Sequence, residues 1–294
     1  MEKIERYKKI FGEDFEYPER KEVWQLRANT IKISSNELEK RLKEKYEKIE
    51  KQKFFKDAFL IESEENLGKT LEHILGYFFI QNFSSMIPPL VLEPSYEDKI
   101  LDLTAAPGAK TTQMAALMEN CGLIVANDIE HKRLKALRGN LQRCGVINTV
   151  VTKMDGKIFF KTNLTFNKIL LDAPCTATGL MSPKVLSMTS EGLIKKLSNI
   201  QKQLIQSAAR CLKKEGILIY STCSLEPEEN EEVIDFAMKK LDLIPEKIKI
   251  KGVNFINGLT GWEGKTFREE VFNAIRIIPD GIFEGFFVCK LRKY

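Results

Sequence analysis

The chain has 294 residues, a net charge of +5, six cysteines and two histidines. Its charged start lacks the apolar core of a signal peptide, and no apolar run approaches the roughly 20 residues of a membrane span, so we expect a cytoplasmic protein with reduced cysteines. The absence of CxxC spacing argues against a metal site. With only two histidines, the chain offers few candidate bases for a Ser-His-Asp hydrolase. The positive charge permits a polyanionic partner.

The first 90 residues differ in pattern from the rest and predict a small α+β segment. A charged helical stretch is preceded by Ser34 or Ser35 as its N-cap. A Pro-rich turn at Ile87–Leu90 then leads to a larger domain. The predicted elements before that turn are strands at Val23–Leu26, Thr30–Ile33 and Phe59–Ile61, and a helix at Ser35–Lys53.

From Lys99 onward, short apolar runs alternate with helical patterns. This alternation predicts a doubly wound, mainly parallel sheet. Two apolar segments at the C-terminus, Val271–Ile278 and Gly285–Leu291, flank a Gly turn and predict an antiparallel hairpin. The predicted parallel strands are Lys99–Leu103, Gly122–Asn127, Asn148–Lys153, Lys168–Leu171 and Gly216–Ser221.

A turn of small residues follows the first of these strands, over residues 104–112. Backbone N–H groups of such a turn, and the N-terminus of the next helix, can approach an anion. A P-loop requires Gly at the positions of Thr104 and Ala109, and a dinucleotide fold requires GxGxxG, whereas this turn has only Gly108. The turn therefore suits a smaller anion, such as the carboxylate of an amino-acid-like cofactor.

Acidic residues follow the next three strands. Asp128 lies twenty residues after Gly108, where an acid binds ribose hydroxyls in Rossmann-like folds. Asp155 is placed to meet an adenine amino group, and Asp172 ends the fourth strand. A single acid after a strand is usually a turn or cap residue. Three of them, with the small-residue turn, predict a pocket for S-adenosylmethionine.

Two cysteines follow two strands that a helical pattern connects. Cys175 follows Ile169–Leu171, and Cys223 follows Ile217–Tyr220. Because ligands of open α/β sheets bind beyond the carboxyl ends of the strands, both thiols should open into one crevice. Buried cysteines are more often inert, and we expect that of the other four, which are Cys121, Cys144, Cys211 and Cys289.

Four segments stand together in an informative order and spacing. They read LDLTAAPGAKT, NDIEHKRLKALRGNLQRCGV, ILLDAPCTATG and YSTCSLEPEENEEVI, and the chain closes with RIIPDGIFEGFFVCKLRK. Over about residues 20–294 this set resembles the Nop/Sun-type RNA (cytosine-5) methyltransferases, including the archaeal tRNA enzymes. The family usually has Gly where Ala109 lies, and DAPCSG where this chain has DAPCTATG, which puts Thr176 and Ala177 beside the base pocket.

The resemblance implies a Rossmann-like class I methyltransferase fold. Its mainly parallel, seven-stranded sheet would have an antiparallel C-terminal edge. The implied domains are residues 1–90, a small RNA-binding segment, and residues 91–294, the methyltransferase domain. The implied cofactor is S-adenosylmethionine, and its candidate binding residues are Ala105, Ala106, Pro107, Gly108, Lys110, Asp128, Arg133, Asp155 and Asp172.

The resemblance also implies roles in catalysis. Cys223 would attack carbon 6 of cytosine, and Cys175 would assist release of the product. Asp172 would bind the N3/N4 edge and supply a proton, and Lys110 would orient the base. The reverse assignment of the thiols stays open, since DNA cytosine-5 enzymes attack through a PC-motif cysteine. From the residues alone, Lys110 could equally be a solvated lysine.

The expected substrate is RNA, most readily a tRNA, because the chain is compact. A ribosomal RNA substrate and a non-catalytic RNA-binding scaffold are the alternatives. We expect a monomer with no metal and no membrane partner. Four basic residues of the N-terminal segment are candidate phosphate contacts, although each could instead be solvated: Arg20, Lys21, Arg27 and Lys32.

Overall fold

The computed structural model describes residues 2–294; Met1, the first residue of the predicted N-terminal segment, lies outside it. The α-helices are α1 (Glu2–Phe11), α2 (Ser35–Lys43), α3 (Leu71–Ile74), α4 (Phe83–Leu92), α5 (Ala109–Leu117), α6 (His131–Cys144), α7 (Pro183–Met188), α8 (Glu191–Cys211) and α9 (Glu231–Lys240). The strands are β1 (Trp24–Ala28), β2 (Ile49–Lys51), β3 (Ala58–Ile61), β4 (Phe78–Ile80), β5 (Lys99–Asp102), β6 (Leu123–Asp128), β7 (Thr149–Lys153), β8 (Phe166–Asp172), β9 (Leu212–Thr222), β10 (Leu243–Glu246), β11 (Phe255–Asn257), β12 (Gly261–Trp262), β13 (Lys265–Thr266), β14 (Ile275–Ile277) and β15 (Phe286–Lys293).

The larger sheet has the order β11-β14-β15-β9-β8-β5-β6-β7, with β10 paired to β15. Strands β5 to β9 are parallel to one another, and the C-terminal strands are antiparallel. The predicted fold class is confirmed. Within residues 2–294 the sheet has nine strands rather than seven, because β10 and β11 extend its antiparallel end. Both are too short for the alternation that reveals a strand in a sequence.

Both faces of this sheet are buried, which explains the continuous apolar runs of its parallel strands. Leu101 and Leu171 pack on one face with α1, α8 and α9. Their chain neighbours Ile100 and Leu170 pack on the opposite face with α4 and α5. The candidate site residues lie at the carboxyl end of these parallel strands.

The N-terminal residues form a four-stranded antiparallel sheet of order β2-β3-β1-β4. The prediction of a strand at Thr30–Ile33 is wrong: the N–H groups of Lys32 and Ile33 both donate to the carbonyl of Asn29, which closes a turn. Ser34 is confirmed as the N-cap of α2, through the N–H of Glu37. The predicted helix continues only to Lys43, because the next apolar residues pair in β2 with β3.

The Pro-rich turn expected at Ile87–Leu90 is instead the middle of α4. A proline inside a helix leaves a carbonyl one turn earlier without its N–H donor. The carbonyl of Ser85, four residues before Pro89, accepts from Gln81 Nε2 at 3.2 Å. This side chain replaces the donor that Pro89 lacks.

Helix α1 packs on the larger sheet rather than on the small one. Tyr7 and Ile10 are buried there with residues of β8 and β9. Residue 90, the predicted domain boundary, lies inside α4, and the division into two domains stays a prediction. Among the helices of residues 2–294, none combines the length and apolar character needed to cross a membrane.

Candidate active site

The small-residue turn connects β5 to α5 with its glycine in a left-handed conformation. Gly108 has φ of +103° and is the N-cap of α5. A Cβ atom there would lie 2.8 Å from Leu137 Cδ1, so the close packing of α6 also requires glycine. Ala109 begins α5 with an ordinary helical backbone. The methyl group that distinguishes Ala109 from the usual Gly therefore introduces no backbone strain.

Asp128 ends β6 and holds this turn through its carboxylate. Oδ2 accepts from the N–H of Ala106 at 3.2 Å, and Oδ1 accepts from the N–H of Glu130 at 3.0 Å. Arg133 lies 3.5 Å from Oδ2 and also donates to the carbonyl of Ala106. The structure thus brings three predicted cofactor residues, Ala106, Asp128 and Arg133, into direct contact.

Two further acids lie near the ends of neighbouring strands. Asp155 follows β7, caps the next turn through the N–H of Lys157 and pairs with the Lys157 ammonium at 3.3 Å. Asp102 ends β5 and was missed by the sequence analysis. It is buried and accepts from Thr111 Oγ1 at 2.6 Å, and burial chiefly raises its pKa to about 7. The strand-end rule applied to Asp128 and Asp172 also identifies Asp102.

The sulfurs of Cys175 and Cys223 lie 3.3 Å apart, and both residues are half-buried. The hydrogen bond with Cys223, followed by burial, raises the pKa of the Cys175 thiol well above its usual value. The backbone N–H of Ala177 faces the Cys175 sulfur and acts in the opposite direction. The predicted meeting of the two strand ends is therefore observed, with α8 as the crossover between β8 and β9.

Asp172 lies at the same strand end as the cysteines, and both oxygens of its carboxylate have partners. Lys110 Nζ donates to Oδ2 at 2.7 Å, and Ser221 Oγ donates to Oδ1 at 2.8 Å. Lys110 also donates to Ser85 Oγ at 2.8 Å. Lys110 is thus a tethered lysine rather than a solvated one. Ser85 and Ser221 were not predicted as site residues, because neither carries a charge and neither stands at a motif position assigned to a nucleophile.

Ala177 has a strained backbone, and it lies in the segment DAPCTATG, where the family that this chain resembles has DAPCSG. Its φ is +59°, a left-handed conformation that costs an L-residue with a Cβ roughly 1–2 kcal/mol. We expect Ala177→Gly to stabilise the protein by about 0.5–1 kcal/mol, after the greater unfolded-state entropy of glycine is subtracted. Urea unfolding measures the change. The matched control is Ala173→Gly, at a buried site without positive φ, which should destabilise the protein. A change in unfolding free energy of the same sign in both variants would contradict the strain at Ala177.

The four basic residues predicted to contact phosphates differ in exposure. Arg27 is 1% exposed and donates to Gln81 Oε1 and Thr112 Oγ1, each at 2.8 Å. The prediction is wrong for Arg27, because its guanidinium joins the small sheet to α5. Lys32 donates to the carbonyl of Leu75. Arg20 and Lys21 are exposed, and Arg20 lies 3.5 Å from Glu284.

Comparison with known proteins identifies the family. The family described as 16S rRNA methyltransferase RsmB/F matches residues 89–292. The chain belongs to this family. It is 42% identical over 273 residues to the tRNA (cytosine(49)-C(5))-methyltransferase of Pyrococcus abyssi, covering 91% of this chain and 87% of that protein.

Two other similarities bear on substrate and cofactor. The mouse 28S rRNA (cytosine-C(5))-methyltransferase is 36% identical over 279 residues, but the match spans only 35% of its length and 92% of this chain. The crystal structure of NSun6 from Pyrococcus horikoshii with SFG, an analogue of S-adenosylmethionine, has a TM-score of 0.84 and 26% identity, covering 98% of this chain and 97% of that one.

Membership confirms the predicted enzyme class, an S-adenosylmethionine-dependent RNA (cytosine-5) methyltransferase. The donor set fits this cofactor. The turn of small residues and the N-terminus of α5 lie next to carboxylates at the end of β6 and after β7, which is the chemistry that a methionine carboxylate, a ribose and an adenine require. The role of each residue remains a prediction.

Proposed function

We propose that this protein methylates carbon 5 of cytosine in tRNA through a covalent bond from Cys223 to carbon 6 of the base. The observation that carries the proposal is the 3.3 Å separation of the Cys175 and Cys223 sulfurs at the strand end that also holds Asp172. Two thiols in one crevice can divide attack and release between them, which a single thiol cannot do.

Carbon 5 of cytosine is a poor nucleophile until a nucleophile has added to carbon 6. The Cys223 thiolate forms the bond to carbon 6, and carbon 5 becomes enamine-like. S-adenosylmethionine, when bound, supplies the electrophilic methyl group that carbon 5 takes. Cys175, deprotonated once Cys223 is bonded to carbon 6, then takes the carbon 5 proton. The electron pair of that C–H bond restores the double bond between carbons 5 and 6, Cys223 leaves carbon 6 as a thiolate, and the product is released.

The contact between the two sulfurs supports this division of labour. The hydrogen bond with Cys223 and burial raise the pKa of Cys175, which favours the protonated form of that thiol in the free enzyme. Its S–H can donate to the sulfur of Cys223 and favour a thiolate there, the form that attacks. The reverse assignment would require the thiol with the raised pKa to ionise first.

Asp172 and Lys110 position the base in this proposal. The Lys110 ammonium and the Ser221 hydroxyl hold the two oxygens of the Asp172 carboxylate. Asp172 then meets the N3/N4 edge of cytosine, and its carboxyl group, in the protonated form, donates to N3 the proton that accompanies attack at carbon 6. Lys110 is anchored to Ser85 on α4 as well, so the carboxylate has a defined direction.

For the cofactor, we propose binding by the turn residues Ala105, Ala106, Pro107 and Gly108, with Lys110, Arg133, Asp155 and Asp172 around it and Asp128 on the ribose. We expect Asp128→Ala to weaken S-adenosylmethionine binding by about 1–3 kcal/mol, because buried hydroxyls lose their partner. Isothermal calorimetry measures the affinity. Glu130→Ala, two residues away and exposed, is the control and should bind normally. Unchanged affinity in a folded Asp128→Ala protein would refute the assignment.

The choice of tRNA over ribosomal RNA rests on the extent of the similarities. The chain matches 87% of the tRNA relative but 35% of the mouse rRNA relative, so most of the latter protein has no counterpart in the match. The test is bisulfite sequencing of total RNA from cells with and without this protein. Loss of 5-methylcytosine from tRNA alone supports the proposal, and loss from rRNA alone refutes it. A monomeric state and a cytoplasmic location remain predictions.

A lysine ridge, defined as Lys247, Lys249 and Lys251, is a candidate contact for the RNA backbone. The three lysines are exposed and alternate with Ile248 and Ile250, which pack on the α4 face of the larger sheet. This period-two pattern presents three ammonium groups on one side of an extended segment. Helix α4 connects the ridge, at its C-terminal end, to the crevice, at Ser85.

We expect replacement of all three ridge lysines by glutamine to weaken tRNA binding at moderate salt. Each lost phosphate contact should also reduce the slope of log affinity against log salt by about 0.7–0.9. Filter binding over a salt series measures both. The control replaces Lys195, Lys196 and Lys240, which are exposed on α8 and α9, helices that cover the opposite face. Equal losses in the two triple variants would contradict a localised surface.

A further inference from the structure

Glu229 is a buried acid that the proposed chemistry does not use. It is fully buried, and four uncharged donors converge on its carboxylate. They are the N–H and hydroxyl of Thr176, the hydroxyl of Ser224 and the side-chain amide of Gln201. Burial raises its pKa and these hydrogen bonds oppose that shift. A carboxylate withdrawn from water among neutral donors is costly, and such groups often serve positioning roles.

The donors identify what Glu229 connects. Thr176 directly follows Cys175, and Ser224 directly follows Cys223. The Thr176 and Ser224 hydroxyls are also 3.0 Å apart. One carboxylate therefore bonds the loop of each thiol, behind the sulfurs that face the crevice.

The two loops do not depend on Glu229 equally. Cys175 is held on both sides by this network, since Gln201 Nε2 donates to the carbonyl of Pro174 at 2.9 Å as well as to Glu229 at 3.0 Å. The Cys223 loop has other supports. The carbonyl of Cys223 accepts from the N–H of Gly179 at 2.9 Å, and Thr222 pairs with Phe287 in the sheet. Loss of Glu229 should displace Cys175 first.

We infer that Glu229 is a positioning residue that holds Cys175 against Cys223, so that release of the methylated base keeps pace with attack. The inference rests on the proposed function, because release is the step assigned to Cys175. Without the tether, Cys223 still attacks and methyl transfer still occurs. Removal of the carbon 5 proton then slows, and the bond between Cys223 and carbon 6 persists longer.

The test compares three variants of the full-length protein. Glu229→Gln keeps the shape but loses the charge, and Glu229→Asp keeps the charge but loses the reach to both loops. Glu226→Gln is the matched control, because Glu226 is an equally buried acid of the same segment that pairs instead with Arg6 and Tyr7. Thermal unfolding establishes that each variant is folded, and Thr176→Val removes one donor from the opposite side if neither Glu229 variant folds.

The first readout needs no RNA. It is the alkylation of Cys175 by iodoacetamide, followed by mass spectrometry. Alkylation should be about tenfold faster in both Glu229 variants, because hydrogen bonds to a charged group are lost. It should not be faster in Glu226→Gln. The second readout is the fraction of enzyme in a denaturation-resistant adduct during turnover with tRNA and S-adenosylmethionine. That fraction should rise in both Glu229 variants while multiple-turnover rate falls.

An alkylation rate of Cys175 equal to that of the wild type in folded Glu229 variants would overturn the tether. Wild-type behaviour of Glu229→Asp in both readouts would also overturn it, since the charge alone would then suffice. Slower turnover of the Glu229 variants without more adduct, under conditions in which Cys175→Ala does accumulate adduct, would also overturn it. Cys175→Ala is assayed in parallel. If alkylation accelerates as expected but no adduct forms in any variant, Cys175→Ala included, the covalent chemistry of the proposed function is wrong and the tether stands.

Discussion

Cys175→Ala will accumulate a protein–RNA adduct that survives denaturation, whereas Cys223→Ala will form none. If Cys223 attacks carbon 6, its loss removes the covalent step, and turnover should fall by at least about 10⁴-fold. If Cys175 assists release, its loss leaves attack and methyl transfer intact and stalls the enzyme on its product. Denaturing gel electrophoresis with labelled tRNA and S-adenosylmethionine distinguishes the two outcomes.

The opposite trapping phenotypes are informative because unfolding cannot produce them. A destabilised variant loses the adduct and turnover together. Cys121→Ala is the control, since Cys121 is exposed and its sulfur donates to the carbonyl of Glu119; it should behave as wild type. Adduct from Cys223→Ala but none from Cys175→Ala would reverse the roles. Wild-type turnover in both variants would mean that the thiols are structural.

Asp172→Asn should reduce the single-turnover rate of methyl transfer by about 10²–10⁴-fold, the usual contribution of a positioned acid or base. The amide keeps the size of the side chain but cannot supply a proton from a carboxyl group. It also loses the charged partner of Lys110, which lies 2.7 Å away in the wild type. Rapid-quench measurement of labelled methyl transfer, with enzyme in excess over tRNA, reports this step.

Asp98→Asn is the matched control for Asp172→Asn. Asp98 also pairs with a lysine, Lys168, at 2.9 Å. Lys168 lies on β8, toward the end of that strand opposite to Asp172. Its substitution should lower the free energy of unfolding and leave methyl transfer unchanged. If the two variants lose the same small fraction of activity, the effect of Asp172 is one of stability and its assignment to the base fails.

Much of the parallel sheet could be predicted because its strands are buried on both faces. Ile169–Leu171 and Ile217–Tyr220 are continuous apolar runs, and such runs need no partner to be recognised. The same reasoning failed where a side chain from elsewhere decides the local structure. Gln81 supplies the donor that Pro89 lacks inside α4, and no pattern near the prolines reveals it.

Exposure was the least predictable property of the charged residues. Arg20 and Arg27 lie close together along the chain, yet Arg20 is exposed and Arg27 is buried against Gln81 and Thr112. Burial of a guanidinium depends on which neutral oxygens the fold brings to it. Those oxygens come from segments more than fifty residues away along the chain.

The family and the fold class could be read from the sequence, which also predicted the reactive groups, because motif order and strand-end positions are local properties of the chain. It placed Cys175 and Cys223 at the ends of two strands connected by one helix, and parallel strands share a carboxyl end. Only the tertiary structure decided the 3.3 Å contact between their sulfurs, the anchoring of Lys110 and the burial of Glu229. These depend on distances between segments, which follow from the packing of the whole sheet and its helices rather than from any local pattern.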